Sequence, residues 1–156
     1  MSTRNQISIL FPLLCCLAVS LLFLFSAGEA QARMVSVNRD VINMRSGPGT
    51  NYKILWQLDR GYPLWIIQKK EKWYKVRDFE GDTGWVYAPL TNRDAHVVVK
   101  KNRINVRSGP GTRYRIVAKA KRGVVFTTVK RAKGWVKVRH QEGVTGWVAR
   151  HLVWGW

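Results

Sequence analysis

The chain reads as all-β: two tandem small antiparallel β-barrels behind an N-terminal signal peptide. Three observations predict this. Shifted against itself by 62 positions, the stretch 35–94 aligns with 97–156 without a gap, and 25 of the 60 positions are identical. Likeness sustained over a whole stretch marks a folded unit used twice. Turn-forming residues recur roughly every 8 to 12 positions between short runs rich in β-branched and aromatic side chains. No run carries the apolar period of a helix. The expected boundaries are 1–32 for the signal, 34–92 for the first barrel and 96–156 for the second, which ends in an aromatic tail.

Taken in order, the first strand is an alternating segment at 34–37, repeated by Val97-Val98-Val99. The run Ile42-Asn43-Met44-Arg45 then enters Ser46-Gly47-Pro48-Gly49-Thr50, which returns as Ser108-Gly109-Pro110-Gly111-Thr112 after Arg107. Pro48 and Pro110 fix their own φ, and the glycines on either side accept backbone angles closed to other residues, so a sharp turn is expected there. Asn43 and Asn105 are read as bonding to backbone within that loop. A short strand follows at 54–58 and 116–120 and ends at Arg60-Gly61 and Arg122-Gly123; another runs over 63–68 and 125–130. Here the copies diverge most: Trp56 and Trp65 give way to Ala118 and Thr127.

The next strand carries the clearest period. In Trp73-Tyr74-Lys75-Val76-Arg77 and Trp135-Val136-Lys137-Val138-Arg139, one alternate set is Trp, Lys, Arg and the other is apolar. Side chains of a strand point to opposite faces in turn. Tyr74, Val76, Val136 and Val138 are therefore expected in the core, and Trp73 and Trp135 on the same outer face as two cations. Glu80-Gly81 and Glu142-Gly143 make a turn into the returning strands Thr83-Gly84-Trp85-Val86 and Thr145-Gly146-Trp147-Val148, after which Leu90 and Leu152 plug the end. The connection 91–96 has neither Gly nor Pro, which predicts a fairly fixed relation between barrels. For Trp154 and Trp156 the default role is closing an open barrel edge.

Charge narrows the partners. The formal net charge is +18. Residues 33–92 hold 10 Lys and Arg against 6 Asp and Glu, net +4, while 93–156 hold 16 against 2, net +14. A field of that size attracts anionic surfaces: lipid head groups, acidic polysaccharide, cell-wall polymer or nucleic acid. Residues 7–28 carry no charge and end near Ala30-Gln31-Ala32, a pattern that signal peptidase reads; an uncleaved anchor is the alternative, the one route by which the chain would meet a membrane. Both cysteines, Cys15 and Cys16, lie in that run, which leaves no Cys chemistry beyond it.

Asn-x-Arg-Ser-Gly-Pro-Gly-Thr, followed about 25 residues later by Trp-x-x-Val and then Gly-x-Thr-Gly-Trp-Val, resembles the bacterial SH3 (SH3b) family, and both copies match. The resemblance implies five- to six-stranded SH3-like barrels in an exported, periplasmic or extracellular protein. It also implies a targeting module that binds peptidoglycan or peptides without catalysis of its own.

Catalysis is not expected from the residues either. A duplicated active site would repeat at the 62-residue offset, yet His140 falls opposite Asp78 and His151 opposite Pro89. Ser46 and Ser108 recur inside a turn without a His or Asp partner. No metal or cofactor is called for: His96, His140 and His151 are scattered. The candidate ligand-binding residues are Trp73, Lys75, Arg77, Trp135, Lys137 and Arg139, where a flat ring beside cations suits a sugar face next to a carboxylate. Arg45 and Arg107 serve either the loop carbonyls or a ligand anion. The structural alternative is that the Trp rings cap the barrel above a solvated basic face, and for Trp85 and Trp147 packing across a Gly is favoured. Three function classes follow: an envelope-binding module, a scaffold holding an envelope protein partner, and nucleic-acid binding, against which the export signal argues. By charge alone, Trp135→Ala is expected to cost more binding than Trp73→Ala.

Overall fold

The structure, a computed structural model, describes residues 33–156; the signal segment read at 1–32 lies outside the described residues. The first copy comprises β1 (Met34–Val37), β2 (Val41–Arg45), β3 (Ile54–Asp59), β4 (Pro63–Lys70), β5 (Trp73–Arg77), β6 (Thr83–Tyr87), a 3-10 turn at Ala88–Leu90 and β7 (Thr91–Asn92). The second repeats the order: β8 (His96–Val99), β9 (Arg103–Arg107), β10 (Ile116–Lys121), β11 (Val125–Ala132), β12 (Trp135–Arg139), β13 (Thr145–Ala149), a 3-10 turn at Arg150–Leu152 and β14 (Val153–Gly155). Each copy forms one antiparallel seven-stranded sheet, β3-β2-β6-β5-β4-β1-β7 and β10-β9-β13-β12-β11-β8-β14. The count exceeds the five or six strands expected, because the short segment after each 3-10 turn adds an edge strand to β1 or β8.

Each sheet wraps its own apolar core. In the first, Val35, Val37, Ile42, Met44, Leu58, Leu64, Ile66, Val76 and Val86 cluster, with Tyr74 and Leu90 packed against them. In the second, Val97, Val99, Ile104, Val106, Phe126, Val136, Val138 and Val148 do the same, with Leu152 at the edge. Tyr74, Val76, Val136 and Val138 are thus inward, as their alternation requires.

Two local expectations are corrected. The glycines of the Gly-Pro-Gly turns do not have positive φ. What they supply is the missing Cβ: one on Gly47 would sit 2.3 Å from the Tyr52 ring, and one on Gly109 2.4 Å from that of Tyr114. The turn is tight because the aromatic four residues beyond its proline, Tyr52 or Tyr114, folds back over it. Asn43 and Asn105 lie within β2 and β9 and not in the loop. The Asn43 side chain accepts across the sheet from Gln57 at 3.4 Å.

The opening strand corrects a third. Alternation predicts one buried and one open face for β1, yet all four residues are buried. The second copy covers the outer face: Ser36, with no exposure, lies 3.1 Å through its Oγ from the His96 Nδ1. Val98, on the face of β8 turned from its own core, is equally closed. The copies meet again where Arg122 pairs with Glu80 at 2.8 Å and stands 5.0 Å over the Phe79 ring. The relation between barrels is therefore built from packed side chains, in keeping with a connection that lacks Gly and Pro.

Candidate functional site

Pairing across the sheet decides which side chains share the outer face. Trp73 lies opposite Tyr87, Lys75 opposite Trp85, and Arg77 opposite Thr83; Trp85 in turn lies opposite Arg45 on β2. Directly paired residues point to the same side. Arg45, Trp85 and Lys75 thus form one row and Tyr87 and Trp73 the next. The second copy repeats the first row with Arg107, Trp147 and Lys137. In the other row Trp135 faces Ala149 where Trp73 has Tyr87.

Trp85 and Trp147 therefore do not pack inward across the glycines beside them. They stand half-buried on the outer face among the cations. The glycines serve a different contact: a Cβ on Gly84 would meet the Met44 side chain at 2.5 Å, and one on Gly146 would meet Val106 at 2.6 Å.

In the first copy this face opens into a cleft of about 530 Å³, lined by Asn43, Arg45, Trp73, Tyr87, Leu90 and the loop residues from Gly49 to Asn51. Trp73 and Tyr87 meet at 5.4 Å between centroids, tilted by 56°. The arginine is fixed: Arg45 Nη1 donates to the carbonyls of Thr50 and Tyr52 at 2.9 and 2.8 Å, and Arg107 Nη1 to that of Tyr114 at 2.8 Å. Both arginines thus serve the loop carbonyls, and their charge is held at the rim of the face by the loop they brace. Lys75 and Lys137 are half-buried beside the indoles, and Arg77 is exposed at the far end of β5. Arg139, exposed at the end of β12 opposite Thr145, also lines a separate cleft between the copies.

The turn after β5 shows one position doing the same task with two chemistries. Asp78 Oδ1 accepts from the backbone N–H groups of Glu80 and Asp82, each at 2.9 Å. At the equivalent place in the second copy, His140 Nδ1 accepts from the Glu142 N–H at 3.3 Å. Asp78 is buried, and that burial raises its carboxyl above the ordinary range, although the N–H donors of Glu80 and Asp82 pull the other way. Burial, then the neighbouring Asp78 carboxylate, pushes the Tyr62 hydroxyl well above the usual phenol range. A carboxyl that binds its proton more tightly in the folded chain adds stability below its unfolded pKa and loses it as pH rises through the folded value. Asp78→Asn, which keeps the Oδ1 acceptor and removes the charge, is therefore expected to raise the thermal midpoint at neutral pH. The gain should vanish on acidification into the ordinary carboxylate range; an equal gain at both ends would show that charge burial is not its source.

Compared with known proteins, residues 38–92 and 100–155 each match the family model for the bacterial SH3 domain. The chain is 27% identical over 153 residues to the Bacillus subtilis (strain 168) protein YrvJ, which is assigned as an N-acetylmuramoyl-L-alanine amidase; the match takes in 90% of this chain and 29% of the relative. It thus spans under a third of that protein. Among solved structures it is similar to NlpC2 from Trichomonas vaginalis, at 12% identity and a TM-score of 0.35, over 80% of this chain and 48% of that one. It is similar too to an NlpC/P60 family protein from Bacillus cereus ATCC 10987, at 12% identity and a TM-score of 0.38, over 79% and 56% of the two chains.

Proposed function

Since the chain belongs to the bacterial SH3 domain family, we propose that it is a noncatalytic module of the cell envelope that binds peptidoglycan or another anionic wall component. The observation that carries this reading is the first copy's cleft, where Trp73 and Tyr87 offer ring faces beside the braced guanidinium of Arg45. A sugar ring stacks on such a surface while its acidic substituents meet the cations. The second copy, with net +14 over 93–156, adds a long-range field that concentrates an anionic polymer near the cleft. The wall-directed name of the Bacillus subtilis relative points the same way.

The division of labour reverses the order expected from charge alone. Trp73→Ala is expected to lower the affinity for purified sacculi by about tenfold or more, as truncation of a central aromatic anchor does. Trp135→Ala, whose indole has Ala149 opposite, should cost less. Retention on sacculi, anionic vesicles and RNA is to be measured across a salt series. Sacculus binding that survives high salt and depends on Trp73 supports the reading; equal retention on all three matrices, lost together as screening rises, leaves only nonspecific charge.

A second reading has one observation in its favour. The edge strand β3 exposes Ile54, Leu55 and Trp56, at 44%, 39% and 54%. An open apolar edge accepts an added strand from a protein partner. That scaffold role predicts salt-insensitive capture of an envelope protein, lost in Leu55→Lys and kept in Trp73→Ala.

A further inference from the structure

A second cleft, of about 490 Å³, lies between the copies, apart from the outer face. The first copy lines it with Asp40, Asp59 and Arg60, the second with Arg139, His140 and Gln141. Its origin is legible in the repeat, because both ends of the interface use equivalent positions. At one end Arg122 donates to its own copy's Lys100 carbonyl, then crosses to Glu80 and covers Phe79. That end is filled.

At the other end the equivalent arginine is Arg60, which likewise donates to the Asn38 carbonyl, at 3.2 Å. Here the crossing contact is not made, for three reasons. Asp40 stands where the second copy has Asn102, and it holds Arg60 within its own barrel at 2.9 Å. Gln141 replaces the ring of Phe79. The equivalent of Glu80, Glu142, turns to His140 at 3.6 Å. What remains is an open space with Asp59 and Arg139 around it, neither in an ion pair among the described residues. Val124 and Val125, half-buried, add apolar lining.

We infer that this cleft is a binding site for a small zwitterion, an amino acid or a short peptide carrying both a free ammonium and a free carboxylate. Asp59, with Asp40 beside it, takes the ammonium, and Arg139 takes the carboxylate through its two parallel N–H donors. The volume falls in the range of small-ligand sites. A metal ion is not the cation this lining suits: among the described residues no three His, Cys, Asp or Glu groups are placed to hold one.

The test is isothermal titration of the full chain in detergent micelles with alanyl-alanine, N-acetyl-alanyl-alanine and alanyl-alanine amide. The free dipeptide is expected to bind, and each blocked form to bind about tenfold more weakly, the loss of one charge-assisted contact. In Arg139→Gln the preference for free acid over amide should disappear; in Asp59→Asn the preference for free amine over acetamide should. Gln141→Phe, which places the first copy's ring in the cleft, should abolish binding. Trp73→Ala should bind the dipeptide as the unaltered chain does, so that a failed outer face and a failed cleft are told apart. Absence of heat at millimolar dipeptide, equal affinity for all three compounds, or unchanged preferences in both charge variants would overturn the assignment.

Discussion

Gly146→Ala is expected to destabilise the chain by about 3 kcal/mol, the upper part of the range for overfilling a packed core. The added methyl would lie 2.6 Å from the Val106 Cγ1 and 2.8 Å from the backbone carbonyl of Arg107. Val106 is 1% exposed and β-branched, so it has no free rotamer to retreat into. The carbonyl belongs to the residue that pairs β9 with β13 opposite Trp147, the ladder that joins the two strands. Moving it opens the sheet where it turns back on itself. The same change at Gly84 should cost less, because the nearest atom there is the Cγ of Met44, a flexible side chain. Chemical denaturation of the two variants settles the point. Equal losses, or a loss at Gly146 below about 0.5 kcal/mol, would mean that close approach is not what requires the glycine.

Truncation after Leu152 is the other change with a large expected effect. It removes β14, whose Val153, Trp154 and Gly155 pair with Val99, Val98 and Val97. It also takes away the Trp156 carbonyl that accepts from the Thr128 hydroxyl at 2.6 Å, and the Val153 and Gly155 carbonyls that accept from Arg150 at 3.0 and 2.9 Å. Full burial of a large apolar side chain contributes about 1.5 to 3 kcal/mol, and one buried side chain, Val153, leaves together with two half-buried indoles, Trp154 and Trp156. A loss of that size is comparable to the whole stability of a small domain. The shortened chain is therefore expected to lose the second copy's contribution to the cooperative near-UV transition, while Trp154→Phe retains it. An unchanged transition in the truncated chain would show that the tail is an ornament of the edge and not its closure.

The outer face was legible from the sequence to the extent that period 2 reaches. Trp73, Lys75 and Arg77 share a strand, and alternation within a strand places them without knowledge of the neighbours. Tyr87, Asn43 and the loop at Gly49 complete the cleft from other strands, and only the sheet order joins them to Trp73. No spacing in the chain carries that information. Trp85 and Trp147 differ from expectation for a related reason: the glycines beside them receive a core side chain, Met44 or Val106, from the paired strand and not the indole ring. The clefts' arginines show both outcomes. Arg45 and Arg107 bond to the loop that the repeat itself marked out. Arg139 shares its strand face with Trp135 and also lines the cleft between the copies, and nothing in a repeat describes how two of its units touch.

Strand β1 begins at the first described residues and is hydrogen-bonded on both sides, to β4 and to β7. The Arg33 carbonyl is already held by the Ile66 N–H at 2.7 Å. A pull applied along this strand from its leading end therefore meets two ladders at once, and their bonds must yield together instead of one after another. Seated between two partners, with its back against the neighbouring barrel, the opening strand makes the pair resist tension from that end better than its modest size suggests.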